Sequence, residues 1–520
     1  MAAQSGTITG SVTDSSNNDL LPGVNVVVKN TTNGTNTDFN GNFSLANVSN
    51  GDVLVFSYIG YKTLELKVSS SFNISVSLDP DIEALEEVVL LGYVSQKAAN
   101  ISGAVSTVDG EAVEKLKPVR VEDALQGQSG LNVISSGTPG AKPTVLIRGI
   151  SSYSGNDPLV IVDGVNLTLD DMNTLDPSNI ESISVLKDAS TTALYGVKGG
   201  NGVIVITTKS GKRNQETQFN FDSSYAQQSV EKTIAVLNAT EYAAILNEAS
   251  VASGGDLIYP DFSNFGNGTD WQKEVFRDDA PLVTNTFSAR GGSEKASYYF
   301  SAGHTSQEGI LYGEDKSYFD RFSFTANIDA DLTDKLNIKA YNTYANIKGS
   351  NLGDVLFNAL NMSPTTPVYD INGNFGTDSK ITQEVKNPLA QISNSYNEGN
   401  TNKITGKLEL EYELFKDFKI TSRLGYNYVS AVGKSFNPLV FYGANHNQTN
   451  SNADGTPIVT VDSETGEETS THSRVSETTN TWFRYNYELL GNYNFSIDNE
   501  HNFSLFAGFA ISKNTGEGLG

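Results

Sequence analysis

The chain has 520 residues, too many for one ordinary domain and enough for two or three. With 35 Lys and Arg against 60 Asp and Glu, its formal net charge is −25; this argues against nucleic acid as a partner, because phosphate contacts need clustered cations. Cysteine is absent, which excludes a thiolate metal site or a disulfide framework, and the four histidines (His304, His446, His472 and His501) lie far apart and read as surface polar residues rather than ligands.

No run of about 18 apolar residues is present, so no segment reads as a membrane-spanning helix. A transmembrane β-barrel remains open, because alternating lipid-facing and lumen-facing residues average to a soluble-looking hydropathy. The first residues, MAAQS, carry neither the basic nor the apolar part of a secretory leader and read as a processed or cut start.

In chain order, β-rich runs at 7–12, 24–28, 42–45, 53–58, 62–68 and 73–78 are spaced by the turn clusters LPG, TNG, DFNG and SNGD. This spacing predicts a small β-sandwich over 1–80. Asp38, Asn40 and Gly41 predict a tight turn, since the remaining oxygen ligands of a Ca²⁺ loop are missing. A linker follows at 81–102, with the apolar run Val88, Val89, Leu90 and Leu91 set between Glu86, Glu87 and Gly92. Such a run is either a strand of a neighbouring domain or an exposed strand offering its edge to a partner.

Residues 103–215 predict a glycine-dense α+β unit, with strands at 145–148, 159–162, 180–186 and 203–207 and short helices at 121–126 and 188–195. Arg148, Asp163, Lys187 and Asp188 sit in or beside apolar strands, where charges persist only when paired. Their partners lie either within the unit or on another element. Gly196, Gly199, Gly200 and Gly202 fit positive φ or close backbone approach. The GVKGGNG run is no phosphate loop, because it lacks the Lys-Ser/Thr ending and precedes a strand.

From 216 the hydrophobic period becomes two. Phe322, Phe324, Ala326 and Ile328 alternate with polar residues, as do Leu408, Leu410, Tyr412 and Leu414, and then Phe503, Leu505, Ala507, Phe509 and Ile511. About nine strands are expected, several of ten or more residues, near the length that crosses a bilayer. Short turns at 291–295, 331–335, 415–417 and 498–500 alternate with long polar segments at 226–282, 304–318, 346–402 and 430–480. This is the rim asymmetry of outer-membrane barrels. Tyr225, Tyr344, Tyr426, Tyr428, Tyr485 and Tyr487 are expected near strand ends as an interfacial girdle. In the long segments, Tyr259, Trp271, Tyr369, Phe375, Tyr396, Phe436 and Tyr442 either stack on a ligand or pack the loops. Asp370 begins a turn rather than a Ca²⁺ loop, because Phe375 and Ile381 stand where the loop needs Gly and Glu.

The ordered sub-motifs IRG (Arg148, Gly149), NDPLVIVDGV (Asp163, Gly164), IESISVLKDAS (Lys187, Asp188), ALYG (Tyr195, Gly196) and NGVIVITTK (Asn201, Gly202) resemble the plug domain of the SusC/RagA family of TonB-dependent transporters. Residues 6–79 are similar to the carboxypeptidase-regulatory-like domain that precedes many such plugs. Glu86 to Leu91 resemble the family's TonB box, with Leu90 and Leu91 where valines are commoner. The resemblance implies a mostly β architecture: regulatory-like sandwich, linker with TonB box, plug, and at 216–520 the first part of a large antiparallel barrel. Nine strands cannot enclose a plug, so a longer polypeptide is expected.

It also implies an outer-membrane protein in contact with outer-membrane lipid, with a periplasmic N-terminal domain, no enzymatic activity and no cofactor. The partners it implies are TonB with its ExbB/ExbD energising complex and a SusD-like lipoprotein. The implied activity is active import of a nutrient, an oligosaccharide first and a peptide as the alternative. A siderophore or vitamin receptor and a β-rich adhesin are the rival readings. Arg148 and Lys187 would pair within the plug or across to wall carboxylates.

Overall fold

The computed structural model describes residues 5–15, 19–29, 31, 33–58, 61–68, 73–79, 88–91, 94–97, 104–153, 155–313, 315–377, 384–444, 446–463, 465–497 and 501–519. It divides into two compact units, Met1–Ser102 and Gly103–Gly520.

The first unit contains two small sheets. One has the order Asn42–Ser49, Ser5–Asp14, Asn73–Leu78, and the other Gly34–Asn36, Asn25–Val28, Val53–Ser57, Leu64–Lys67. Alternate residues point inward, so Ile8, Val12, Val26, Leu54, Phe56 and Leu78 are fully buried between the sheets. Asp38 makes the expected turn, its carboxylate accepting from the backbone N–H groups of Asn40 and Asn42, each at 2.9 Å. Val88–Leu91 forms a separate two-stranded hairpin with Val94–Lys97, in the register Val88 to Lys97 and Leu91 to Val94.

The second unit begins with a five-stranded sheet in the order Val105–Asp109, Ile180–Leu186, Val203–Thr208, Leu159–Val162, Val165–Leu167. Its central strands are near-continuous Val and Ile because both faces are covered; Ile183, Val185, Ile204 and Ile206 are fully buried. The helix Gly110–Leu116 starts at Asp109, whose carboxylate accepts from the Ala112 N–H at 2.8 Å. Two expectations are corrected. The strand expected to reach Arg148 ends at Ile147, and Arg148 adopts a left-handed φ of 61°. The helix expected over 188–195 is a single turn, Ala189–Thr192, followed by the tighter turn Ala193–Gly199, with a break at Gly196 (φ 59°).

The remainder is a nine-stranded antiparallel sheet in strict chain order: Gln215–Gln228, Ala280–Gly292, Ala296–Glu308, Tyr318–Thr333, Leu336–Ser350, Tyr396–Phe415, Phe418–Asn437, Arg474–Ile497 and His501–Leu519. Four tight connections fall on one rim and four long ones on the other. Each strand alternates, but with the sense of a soluble sheet reversed. Ser323, Thr325, Asn327 and Glu409 are 1, 1, 2 and 3 % exposed, whereas Phe322, Phe324, Leu408 and Leu410 are 49, 46, 42 and 39 % exposed. Apolar residues point away from the protein and polar ones toward the plug, as a bilayer demands.

The register locates the upper edge of the apolar band. One outward row reads Phe221, Phe287, Ala302, Phe324, Tyr344, Ile404, Tyr428, Phe483 across the first eight strands. The next row up reads Ser223, Asn285, His304, Phe322, Asn346, Asn402, Ser430, Thr481. From Phe483 down to Phe495 on one strand, at about 3.3 Å per residue and a tilt near 45°, the band rises roughly 28 Å, one hydrocarbon thickness. Tyr344, Tyr426, Tyr428, Tyr485 and Tyr487 therefore lie in mid-strand, not near strand ends as expected. The strands continue past the membrane with Asn, Ser and Thr on the outward face.

The long connections carry structure of their own. The segment expected as a loop over 226–282 holds the helix Ala239–Ala252, closed by a capping box between Asn238 and Glu241. Trp271, Val275, Leu352, Val355 and Met362 bury a small core beneath the loops. The Asp370 turn is as expected, with its carboxylate accepting from the N–H groups of Asn372 and Asn374.

Candidate functional site: the plug held in the wall

The motif residues of the plug mostly build turns. Arg148 pairs with Asp188 at 2.5 Å, and the Ala104 N–H donates to the same carboxylate. That backbone donor and then Arg148 hold the Asp188 carboxyl below the usual carboxylate range. Lys187 donates to the Ser106 hydroxyl at 2.5 Å and to the Ser129 carbonyl. Both cations are thus satisfied inside the plug rather than on wall carboxylates. The geometric reason is that strand Ile180–Leu186 delivers Lys187 and Asp188 to the start of the plug, beside Ala104 and Ser106. Asn201 bridges two turns, donating to the carbonyls of Gly155 and Asp157 and accepting from Ser151 at 2.6 Å. Gly202 (φ 89°) lies where a Cβ would come within 2.6 Å of Ile147, so the backbone requires glycine there. Gly149 (φ 116°) turns the chain after Arg148.

The Asp163–Gly164 turn is the motif that touches the wall. Asp163 (φ 50°) accepts from the Thr208 N–H at 3.0 Å and hydroxyl at 2.7 Å. Burial pushes its carboxyl up, against the opposing charge of wall residue Lys407. Gly164 (φ 87°) brings its backbone against Arg423, whose Nη1 lies 2.9 Å from the position of an added Cβ.

The main grip comes from residues the sequence did not single out. Polar side chains on the inward face reach the plug from the first strand to the eighth. Asp222 pairs with Lys117 at 2.5 Å. Tyr299 donates to Asn179 at 2.7 Å, and Asn179 donates to Thr325 at 3.1 Å. Arg321, fully buried, donates to the carbonyls of Val119 and Leu175 at 3.2 and 3.0 Å. Asn327 donates to the Thr208 hydroxyl and the Lys209 carbonyl. Lys403 donates to the Asp170 carbonyl at 2.6 Å and to Asn173 at 2.7 Å, and Arg484 pairs with Asp171 at 3.1 Å. Burial works to raise the Asp171 carboxyl, but the Thr168 hydroxyl and the Lys403 ammonium outweigh it and hold the group below the carboxylate range.

Within the wall, Glu409 gathers Arg423 at 2.6 Å, Lys339 at 3.1 Å and Lys407 at 3.7 Å, and Arg423 also reaches Glu488 at 3.1 Å. The one signal in the sequence was charge at mid-strand positions of the polar face, Arg321, Lys403 and Arg484 among them. Most of these contacts are hydrogen bonds to carbonyls, amides and carboxylates, groups whose bonds water can replace.

Of the linker motif, Val88–Leu91 is extended in its hairpin, while Glu86 and Glu87 lie outside the described residues. Among the loop aromatics, Trp271 and Tyr259 pack inward, with the Trp271 indole N–H donating to the Ser363 carbonyl. Tyr369 stacks on Phe375, and Tyr396 meets Phe436 edge-on. No cluster of metal-ligating side chains occurs among the described residues.

Comparison with known proteins adds what the geometry leaves open. Residues 8–90 match the CarboxypepD_reg-like domain and residues 97–203 the TonB-dependent Receptor Plug Domain. TonB-dependent receptor P3 of Formosa agariphila is 33% identical over 445 residues, covering 82% of this chain and 42% of the receptor. TonB-dependent receptor SusC of Bacteroides thetaiotaomicron is 33% identical over 479 residues, covering 85% and 46%. The solved RagAB peptide transporter shares the fold at a TM-score of 0.65 and 22% identity, over 81% of this chain and 48% of that one. The chain spans about half the length of the relatives it matches. The chain belongs to the SusC/RagA family of TonB-dependent outer-membrane transporters and carries that family's N-terminal region: the periplasmic CarboxypepD_reg-like domain, the plug and a nine-stranded part of the barrel wall.

Proposed function

We propose that the protein takes part in energised import of a nutrient across the outer membrane, with TonB docking on the sequence segment Glu86–Leu91 and a SusD-like lipoprotein covering the outer face. The observation that carries this reading is the grip of the wall on the plug. A stopper held by hydrogen bonds to carbonyls and amides can be displaced and can reseat, because water replaces each bond as it opens. The extended Val88–Leu91 segment, N-terminal to the plug, suits capture by β-augmentation and then a pull. For the cargo, the solved neighbours named as a peptide importer and a peptide transporter favour a peptide, and an oligosaccharide is the second reading. Deleting residues 85–93 from the full-length transporter is expected to abolish uptake and leave ligand binding intact. Unchanged uptake would contradict the mechanism.

A further inference from the structure

The paired ends of strands Tyr396–Phe415 and Phe418–Asn437 and the loop residues beside them border a cavity of about 390 Å³ lined by Lys386, Asn394, Tyr396, Phe436, Tyr442 and Gln448 among others. Most amides around it are committed to the loops. Gln391 donates to the Leu352 carbonyl and accepts from Asn358, Asn397 donates to the Asn351 carbonyl, and Asn450 donates to Pro438 and accepts from the Val440 N–H. Among the lining groups, Lys386 and Gln448 carry donors.

Lys386 is the cation among them. Among the described residues it forms no ion pair; its ammonium donates to the Gln448 side-chain oxygen and lies 4.8 Å from the Tyr442 ring centre. Asp354 acts on it only at a distance, and burial pushes the ammonium down. His446, beside Tyr442, is likewise pushed down by burial and then by Lys386. Gln448 uses its oxygen on Lys386, which turns its NH₂ into a second donor for an incoming group. A desolvated ammonium with an amide donor beside it is complementary to a carboxylate.

The rings favour a peptide over an acidic sugar as the bearer of that carboxylate. A sugar needs an open ring face to stack on. Here Lys316 covers one face of Tyr396 at 3.7 Å, Phe436 meets the same ring edge-on, and Lys386 and His446 both crowd the Tyr442 ring. We propose that this cleft is a peptide subsite in which Lys386, with the Gln448 amide, anchors a carboxylate of the cargo, its C-terminus in the simplest case. This rests on the peptide reading of the cargo given above.

The test is calorimetric binding to the full-length transporter without TonB. The probes are an acetylated tetrapeptide with a free C-terminus, its C-terminal amide, and tetragalacturonic acid. The free acid is expected to bind about tenfold to a hundredfold tighter than the amide, the range of a charge-assisted hydrogen bond. Lys386→Met should remove that difference and Lys386→Arg should retain most of it, which separates lost charge from lost folding. Equal binding of acid and amide, or an undiminished difference in Lys386→Met, overturns the anchor. Binding of tetragalacturonic acid that depends on Lys386, with no peptide binding, overturns the peptide assignment. The import reading is tested separately by the 85–93 deletion, so either can fail while the other stands.

Discussion

The plug and the wall solve opposite burial problems with the same β-strand. In the plug, Ile183, Val185, Ile204 and Ile206 lie side by side on paired strands inside a dry core, and the charge buried with them is paired, as Arg120 is with Glu122. In the wall, Leu408, Leu410, Phe322 and Phe324 face outward and Glu409, Arg321 and Lys403 face inward. Period-two alternation is common to both; what differs is the solvent on each side. Two apolar surfaces pressed together would give a plug that resists extraction, because all its buried area must be wetted at once. A polar wall gives a plug that stays folded on its own core and is held by bonds water can replace. Fold stability and seating are thereby assigned to different surfaces of the plug.

Replacing Glu409 by Ala should have the largest effect. It strands Lys339 and Lys407 on the buried face and takes from Arg423 one of its two carboxylates, leaving Glu488, at about 3–5 kcal/mol, read as a lower urea midpoint for the full-length protein in detergent micelles. Next, Leu410→Arg places a charge in the apolar band and should cost about 2–4 kcal/mol. Thr421→Arg, opposite Glu411 on the polar face of the next strand, should cost less in the same measurement.

Gly164→Ala should follow, at about 1–2 kcal/mol, since φ is 87° and the new methyl meets the flexible end of Arg423. The effect should appear in release of the plug to protease before it appears in global unfolding. The smallest effect is one of pH. Asp171 has a folded pKa below its unfolded value of about 3.9, so its contribution is present above that value and is lost as pH falls through the folded pKa. Asp163 is shifted the other way and should oppose this. Plug seating, followed by protease protection, should therefore weaken between about pH 4 and the folded pKa of Asp171, and Asp171→Asn should flatten that dependence.

Much of this contrast was legible in the residues. The apolar runs 159–162, 180–186 and 203–207 announced the plug sheet, and alternation with Asn, Gly and Thr-rich gaps announced nine wall strands. What escaped had weaker local signals. Val105–Asp109 mixes Ser and Thr with two valines, and it becomes a strand only because Ile180–Leu186 offers it an edge. The helix Ala239–Ala252 carried a capping box in Asn238 and Glu241 but little amphipathic pattern. Strand ends were set too short because beyond the membrane the outward face turns to Asn and Ser, which looks like loop composition. The grip was illegible for a different reason: Arg321, Lys403 and Arg484 bond largely to carbonyls and side chains more than a hundred residues away, and a carbonyl leaves no mark in a sequence.

The wall turns its apolar side to lipid and its polar side to the plug, an arrangement that spin labels can read residue by residue. The chain has no cysteine, so single cysteines at 404 to 410 of the full-length transporter can carry a nitroxide label cleanly. Collision with oxygen, which dissolves in lipid, and with an aqueous nickel complex then reads each position in an outer-membrane bilayer. High oxygen collision and low nickel collision are expected at 404, 408 and 410, and low values of both at 405, 407 and 409. Nickel access at 408 and 410, or no alternation along the strand, would contradict it.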